Sequence, residues 1–143
     1  MLTRFHGYVL DDDRARVDRD ALWAFLSTEV YWARWRSRTD VETQLENAWR
    51  IVGVYDEASG EMVGYARAVS DGVSFAYLAD VYIHSEARGI GLGKELIRVM
   101  VDGGPGADMR WTLHTDDAHA LYRQFGFGEP DSTYLERPSR KGH

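Results

Sequence analysis

Short runs rich in β-branched and aromatic residues read as strands: residues 5–10, 50–56, 61–70, 75–83 and 110–114. In the run 75–83, Ala79, Val81 and Ile83 fall on one side of a two-residue period. Four other stretches repeat apolar residues every third or fourth position, the spacing of one helix face. The first begins near Asp18 and carries Ala21, Leu22, Phe25 and Leu26. The second is opened by Thr39-Asp-Val-Glu42, a capping-box pattern, and carries Val41, Leu45, Ala48 and Trp49. Leu92, Leu96, Val99 and Met100 mark the third. The fourth covers about 117–125, with Ala118, Leu121, Tyr122 and Phe125 on its inner face and Gly126 as its stop.

Breakers separate these runs. Glu57-Ala-Ser-Gly60 and Asp71-Gly72 read as hairpin turns, and Asp102-Gly-Gly-Pro-Gly106 ends the third helix. One more short strand is expected near 134–136. The order is β-α-α-β-β-β-α-β-α-β. Three neighbouring strands on tight turns imply antiparallel pairing, and the helix between the fourth and fifth strands implies a parallel crossover. The pattern thus predicts an α/β chain with a mixed sheet covered by helices.

The fourth strand runs into Arg88-Gly-Ile-Gly91-Leu-Gly93-Lys94, and a helix starts at once. Glycines admit positive φ and let other atoms approach the backbone. A helix start leaves N–H groups without partners and carries partial positive charge. Together they form an anion seat, most naturally for phosphate. A Walker A loop would need Gly where Arg88 stands and Ser or Thr where Glu95 stands. A dinucleotide fingerprint would need its third Gly at Lys94 or Leu96. What fits is R-x-x-G-x-G.

At 143 residues the chain is expected to form one domain, residues 1–143. With 44% hydrophobic and 13% aromatic residues it has enough apolar material for a core. No apolar run approaches the ~20 residues of a membrane span, and the N-terminus lacks a signal-peptide core. A cytoplasmic location without membrane contact is therefore expected. Cysteine is absent, which excludes disulfides, thiolate metal sites and an acyl-cysteine intermediate. The net charge of −6 argues against nucleic acid as a partner and is compatible with a cationic one. The glycine loop departs from that balance, because Arg88, Lys94 and Arg98 face only Glu95. Asp11-Asp12-Asp13 lacks the Gly and terminal Glu of a calcium loop and reads as a solvated turn, so no metal is expected.

The loop Arg88–Gly93 resembles the acyl-CoA pyrophosphate loop of the GNAT superfamily of N-acetyltransferases. A second match supports it. Thr115-Asp-Asp-Ala118-His-Ala-Leu-Tyr122-Arg-Gln-Phe-Gly126-Phe127 is similar to the superfamily's late helix, N-x-x-A-x-x-L-Y-x-x-x-G-F, with Thr115 in place of the usual Asn. The wider pattern, including Phe75-Ala-Tyr-Leu-Ala-Asp80, resembles an uncharacterised bacterial branch. The resemblance spans nearly the whole chain. It implies the GNAT-like acyl-CoA N-acyltransferase fold: a central mixed sheet of about six strands, the fourth and fifth splayed apart, and four helices.

The same resemblance implies acetyl-CoA as acyl donor and an amine as acceptor. The pantetheine arm would pair with the backbone of Val81, Tyr82 and Ile83. The N–H groups of Arg88, Gly89, Ile90, Gly91, Leu92, Gly93 and Lys94 would hold the pyrophosphate, with Thr115 nearby. Tyr122 matches the family's position for the acid that protonates the leaving thiolate, and a phenol of pKa ~10 suits a thiol of ~8.5. For the base, Asp80 is expected to be raised by burial within an apolar strand. His114, Asp116, Asp117, His119 and a water chain stand as alternatives. The stretch 31–38 combines three aromatics and three arginines. With Phe75, its Tyr31, Trp32, Trp35 and Arg36 are the expected acceptor wall. The chain is expected to act as a monomer or homodimer. A non-catalytic acyl-CoA sensor, or transfer of another acyl group or to another nucleophile, are the alternatives.

Overall fold

The computed structural model describes residues 1–28 and 35–141. Six strands form one sheet in chain order: β1 (Leu2–Phe5), β2 (Tyr8–Asp11), β3 (Arg50–Asp56), β4 (Met62–Ser70), β5 (Phe75–Ile83) and β6 (Arg110–Thr112). Neighbours β1 to β5 are antiparallel, and β5 and β6 are parallel. Among the described residues four α-helices accompany them: α1 (Arg19–Thr28), α2 (Arg38–Asn47), α3 (Leu92–Met100) and α4 (His119–Arg123). The expected six-stranded mixed sheet and four helices are present.

The strand count is reached differently from expectation. Residues 5–10 do not form one strand. His6 and Gly7, at φ 46° and 85°, turn the chain back on itself, so β1 pairs with β2. Residues 134–136 form no strand. Asp131 instead accepts from the Thr133 amide at 2.9 Å in a local turn, and Glu136 beyond it meets His114, two residues past β6. The fourth and fifth strands of the sequence are therefore β5 and β6.

The helices cover both faces of the sheet. On one face, α1 and α2 bring Leu22, Leu26, Val41 and Leu45 against Ile51, Tyr65 and Tyr82. On the other, α3 brings Leu92, Leu96, Ile97 and Met100 against Leu10, Val52, Val54 and Ala66. The strand β3 serves both cores, which is why it is buried through six of its seven residues. The cap of α2 is Ser37, not Thr39. Its hydroxyl accepts from the Asp40 amide at 3.1 Å, and the Asp40 carboxylate accepts from the Ser37 amide at 2.9 Å. The buried Arg50 donates to the last carbonyls of α3, at Val99 and Met100.

Two departures from regular pairing create the site. Pairing of β5 with β6 ends at Tyr77 and Thr112, so residues 78–83 run on with one edge open. In the same part of β5 the register with β4 shifts, because Arg67 faces Ala79 but Tyr65 faces Tyr82. Asp80 is the extra residue, left-handed at φ 55°. This is a β-bulge, which bends a strand and re-aims its side chains.

Candidate functional site

Where β5 leaves β6, a cleft of about 900 Å³ opens. Residues 78–83 form one wall and residues 113–118 the other. The loop after β5 and the start of α3 close one end, and Tyr122 on α4 lines the side.

The loop is built for an anion. Gly89 and Gly91 stand at φ 93° and 84°, a left-handed region that side-chain-bearing residues rarely occupy. Gly93 has neither that φ nor a crowded neighbourhood, since an added Cβ would meet only Ile83 at 3.8 Å. Its missing side chain leaves the cleft side of the helix start open. No side chain caps Gly91, and the first bond within α3 runs from the Glu95 amide to Gly91. Among the described residues, none accepts from the backbone N–H groups of residues 89–94. Arg88 lines the same end, and its Nε donates to the Ile83 carbonyl at 3.0 Å.

The open edge of β5 is defined by its neighbour. The His84 amide donates to Val63 at 2.6 Å, so by alternation the Ile83 amide turns away from β4 toward the cleft. Its carbonyl shares that side and meets Arg88 there.

Asp80 is not a raised acid. It is buried, yet two oxygens take a bidentate bond from Arg36 at 2.8 and 2.9 Å, and Arg67 Nε adds a third at 2.7 Å. Desolvation alone would raise its carboxyl, but the guanidinium bonds and charges outweigh it and the pKa falls below the ordinary value. The expected upward shift is thus corrected. Arg36 is committed as well, since it also donates to Gln44 at 2.6 Å. Arg67 spends Nε on Asp80 and lines the cleft.

Tyr122 lies almost wholly buried with its ring edge-on to Phe127, and it lines the cleft. Burial pushes its phenol above the ordinary value, so the hydroxyl keeps its proton near neutrality. Thr115 also lines the cleft, and its hydroxyl accepts from the Ala118 amide at 3.1 Å, which fixes the approach to α4.

Most expected residues come together here: Asp80, Val81, Tyr82, Ile83, Arg88, Gly89, Gly91, Leu92, Gly93, Lys94, Thr115 and Tyr122 all line the cleft, as do Trp35 and Arg36. Ile90 points outward and is exposed. Phe75 sits where β5 and β6 are still paired, outside the lining. Tyr31 and Trp32 lie outside the described residues. Reading the sequence missed Arg67, Tyr77 and Phe25 as lining residues, because only the folded sheet brings them to this edge. Among the described residues no helix is long and apolar enough to cross a membrane.

The model of the Acetyltransferase (GNAT) family matches residues 19–127, from the start of α1 to just past α4. The chain belongs to that family. A GNAT-family candidate acetyltransferase from Xanthomonas campestris pv. campestris superposes with a TM-score of 0.84 at 29% identity, covering 97% of each chain. A Gibberella zeae protein named as a candidate acetyltransferase is 28% identical over 94% of this chain and 85% of its own length. The uncharacterized N-acetyltransferase ycf52 of Pyropia yezoensis is 32% identical over 74% of this chain, and the chain covers 63% of it. The splayed strands, the uncapped glycine loop and the cleft phenol thus all lie within the stretch that matches the GNAT acetyltransferase family.

Proposed function

We propose that this GNAT protein, acting as one catalytic domain, transfers an acetyl group from acetyl-CoA to a primary amine of a small molecule or protein. The amine attacks directly, with both substrates bound. The observation that carries the reading is the run of N–H groups at residues 89–94 without acceptors among the described residues, set at the end of a cleft between splayed strands. Such a run at a helix start suits a pyrophosphate. The open side of Gly93 gives it room, and Arg88 and Lys94 add charge. Residues 78–83 offer an unpaired strand edge, which suits an extended amide-bearing arm as an added strand would.

In this reading the residues divide the work. The amides on the open edge of β5 donate to the oxyanion that develops on the thioester carbonyl. Tyr122 holds a proton at its Oη and gives it to the departing sulfur. The burial that raises the phenol also makes a thiolate more basic, so the two remain matched. Asp80 acts as the counter-ion of Arg36 and Arg67, holding the bulge in shape, rather than as the base. Trp35 and Arg67 line the acceptor end, and Arg67 is the guanidinium offered to an anionic group of the acceptor.

The test is thiol release from acetyl-CoA with a panel of amines. Turnover with at least one amine is expected, and Tyr122→Phe should retain acetyl-CoA binding while losing about 100-fold in kcat. Binding without any thiol release would favour a non-catalytic sensor. Preference for a longer acyl chain or an alcohol would favour the broader acyltransferase reading. Unchanged turnover in Tyr122→Phe would remove its role.

A further inference from the structure

Three side chains, among them the alternative base His114, form a connected chain that the proposed function leaves without a role. Tyr77 occupies the last position at which β5 pairs with β6, and His114 lies two residues past the end of β6. The Tyr77 hydroxyl is 2.7 Å from His114 Nδ1. On the other side of the ring, His114 Nε2 is 2.7 Å from Glu136 Oε2. An ionised carboxylate can only accept, so the neutral imidazole carries its proton on Nε2. Nδ1 is then an acceptor, and the Tyr77 hydroxyl donates to it. The order phenol, imidazole, carboxylate is therefore set by the bonds.

Its place matters as much as its order. Tyr77 and His114 line the cleft, and Tyr77 precedes the bulge at Asp80 by three residues. The glycine loop closes the opposite end, roughly 20 Å of strand away along residues 77–83. A donor anchored at the loop leaves the Tyr77 end for the acceptor. The His114 side chain is 62% exposed, so it touches water as well as the cleft. Burial pushes the Tyr77 phenol above its ordinary value, which suits a group that passes a proton without ionising. Arg67 from β4, Asp80 from β5, and Tyr134 and Glu136 from the tail all act on that phenol. Tyr134 also donates to Glu136 at 3.3 Å. Asp116 and Asp117 follow His114 along the same wall. As a latch for the tail alone, an exposed His–Glu pair would contribute little and would not require a phenol on its cleft side.

Resting on the amine-acetylation reading, we propose that Tyr77, His114 and Glu136 form the relay that deprotonates the acceptor and returns its proton to water. An alkylammonium arrives with pKa ~10.4 and cannot attack while protonated. Its N–H bond breaks toward Tyr77 Oη as the hydroxyl proton of Tyr77 moves to His114 Nδ1. Glu136 stabilises the imidazolium, which releases the proton to solvent. The freed lone pair then forms the C–N bond as the C–S bond breaks. Tyr122 protonates the sulfur and recovers a proton from the nitrogen as the amide forms. The net products are the amide, the thiol and one proton in water.

The test uses the full chain with an amine that the wild type acetylates, and compares His114→Gln, Glu136→Gln and Tyr77→Phe. Each variant is assayed for kcat from pH 6 to 10 and for acetyl-CoA affinity by calorimetry. Near pH 7, His114→Gln and Tyr77→Phe should lose about 100-fold in kcat, and Glu136→Gln less. Acetyl-CoA affinity should stay within two-fold. The deficit should shrink toward pH 10, where about 30% of the amine arrives neutral and needs no relay, against well under 1% near pH 7. A merely structural role would give a loss independent of pH. Variants within three-fold of wild type at pH 7, or a loss equal at every pH, would overturn the relay while leaving acetylation intact. If no amine of the panel raised thiol release by the wild type, the acetylation reading would fall and the relay with it.

Discussion

Asp80→Asn removes one charge at the centre of the site and little else. Asn tolerates the left-handed backbone as Asp does, so the φ of 55° survives. The Arg36 side chain, 2% exposed, then faces an amide where it had a bidentate carboxylate. Removing one partner of a buried pair costs about 3–5 kcal/mol. The bond from Arg36 to Gln44 remains, which puts the expected loss near the lower end, about 3 kcal/mol. For a chain of this length that is a fall in Tm of about 12 °C, read by circular dichroism at pH 7. The difference should depend on pH with a definite sign. The folded-state pKa of Asp80 lies below its ordinary value. Its stabilisation is thus complete above the unfolded pKa of about 3.9 and is lost as pH falls through the folded value. The gap between wild type and Asp80→Asn should therefore narrow in strong acid. A Tm within about 3 °C of wild type at pH 7, or a gap that stays constant into strong acid, would refute the assignment of Asp80 as a paired anion.

Other variants probe separate parts. Gly93→Ala should keep or slightly raise Tm, because φ and space both permit a Cβ, while weakening acetyl-CoA binding about ten-fold or more by calorimetry; an unchanged affinity would mean the open side is not used. Gly89→Ala, forced to φ 93° with no packing gain, should instead lower stability by about 1 kcal/mol, seen in urea unfolding. Ser37→Ala removes a reciprocal cap and should lower Tm by about 4 °C in the same thermal melt.

What the sequence revealed was local. The glycine loop and the start of α3 are continuous in the chain, so their spacing carries their geometry. The stripe of Ala118, Leu121, Tyr122 and Phe125 likewise placed Tyr122 on the inner side of its helix. The turn at His6-Gly7 stayed hidden because His, not Asn or Asp, takes its first left-handed position. The cap was misplaced by two residues because Ser37 and Thr39 both precede an acid by three, and the choice between them depends on packing. Asp80 was misread for a deeper reason. Its partners Arg36 and Arg67 lie 44 and 13 residues away, and the bulge that exposes it to both is a property of the sheet register. The chain from Tyr77 to Glu136 joins a strand, a strand end and the tail, which no local pattern reports.

The most direct test of the account is a crystal structure of the protein with acetyl-CoA. Pyrophosphate oxygens are expected at hydrogen-bonding distance from the N–H groups of residues 89–94, and the pantetheine arm between residues 78–83 and 113–118. An acetyl-CoA molecule bound elsewhere, or no binding by calorimetry at millimolar concentration, would contradict it.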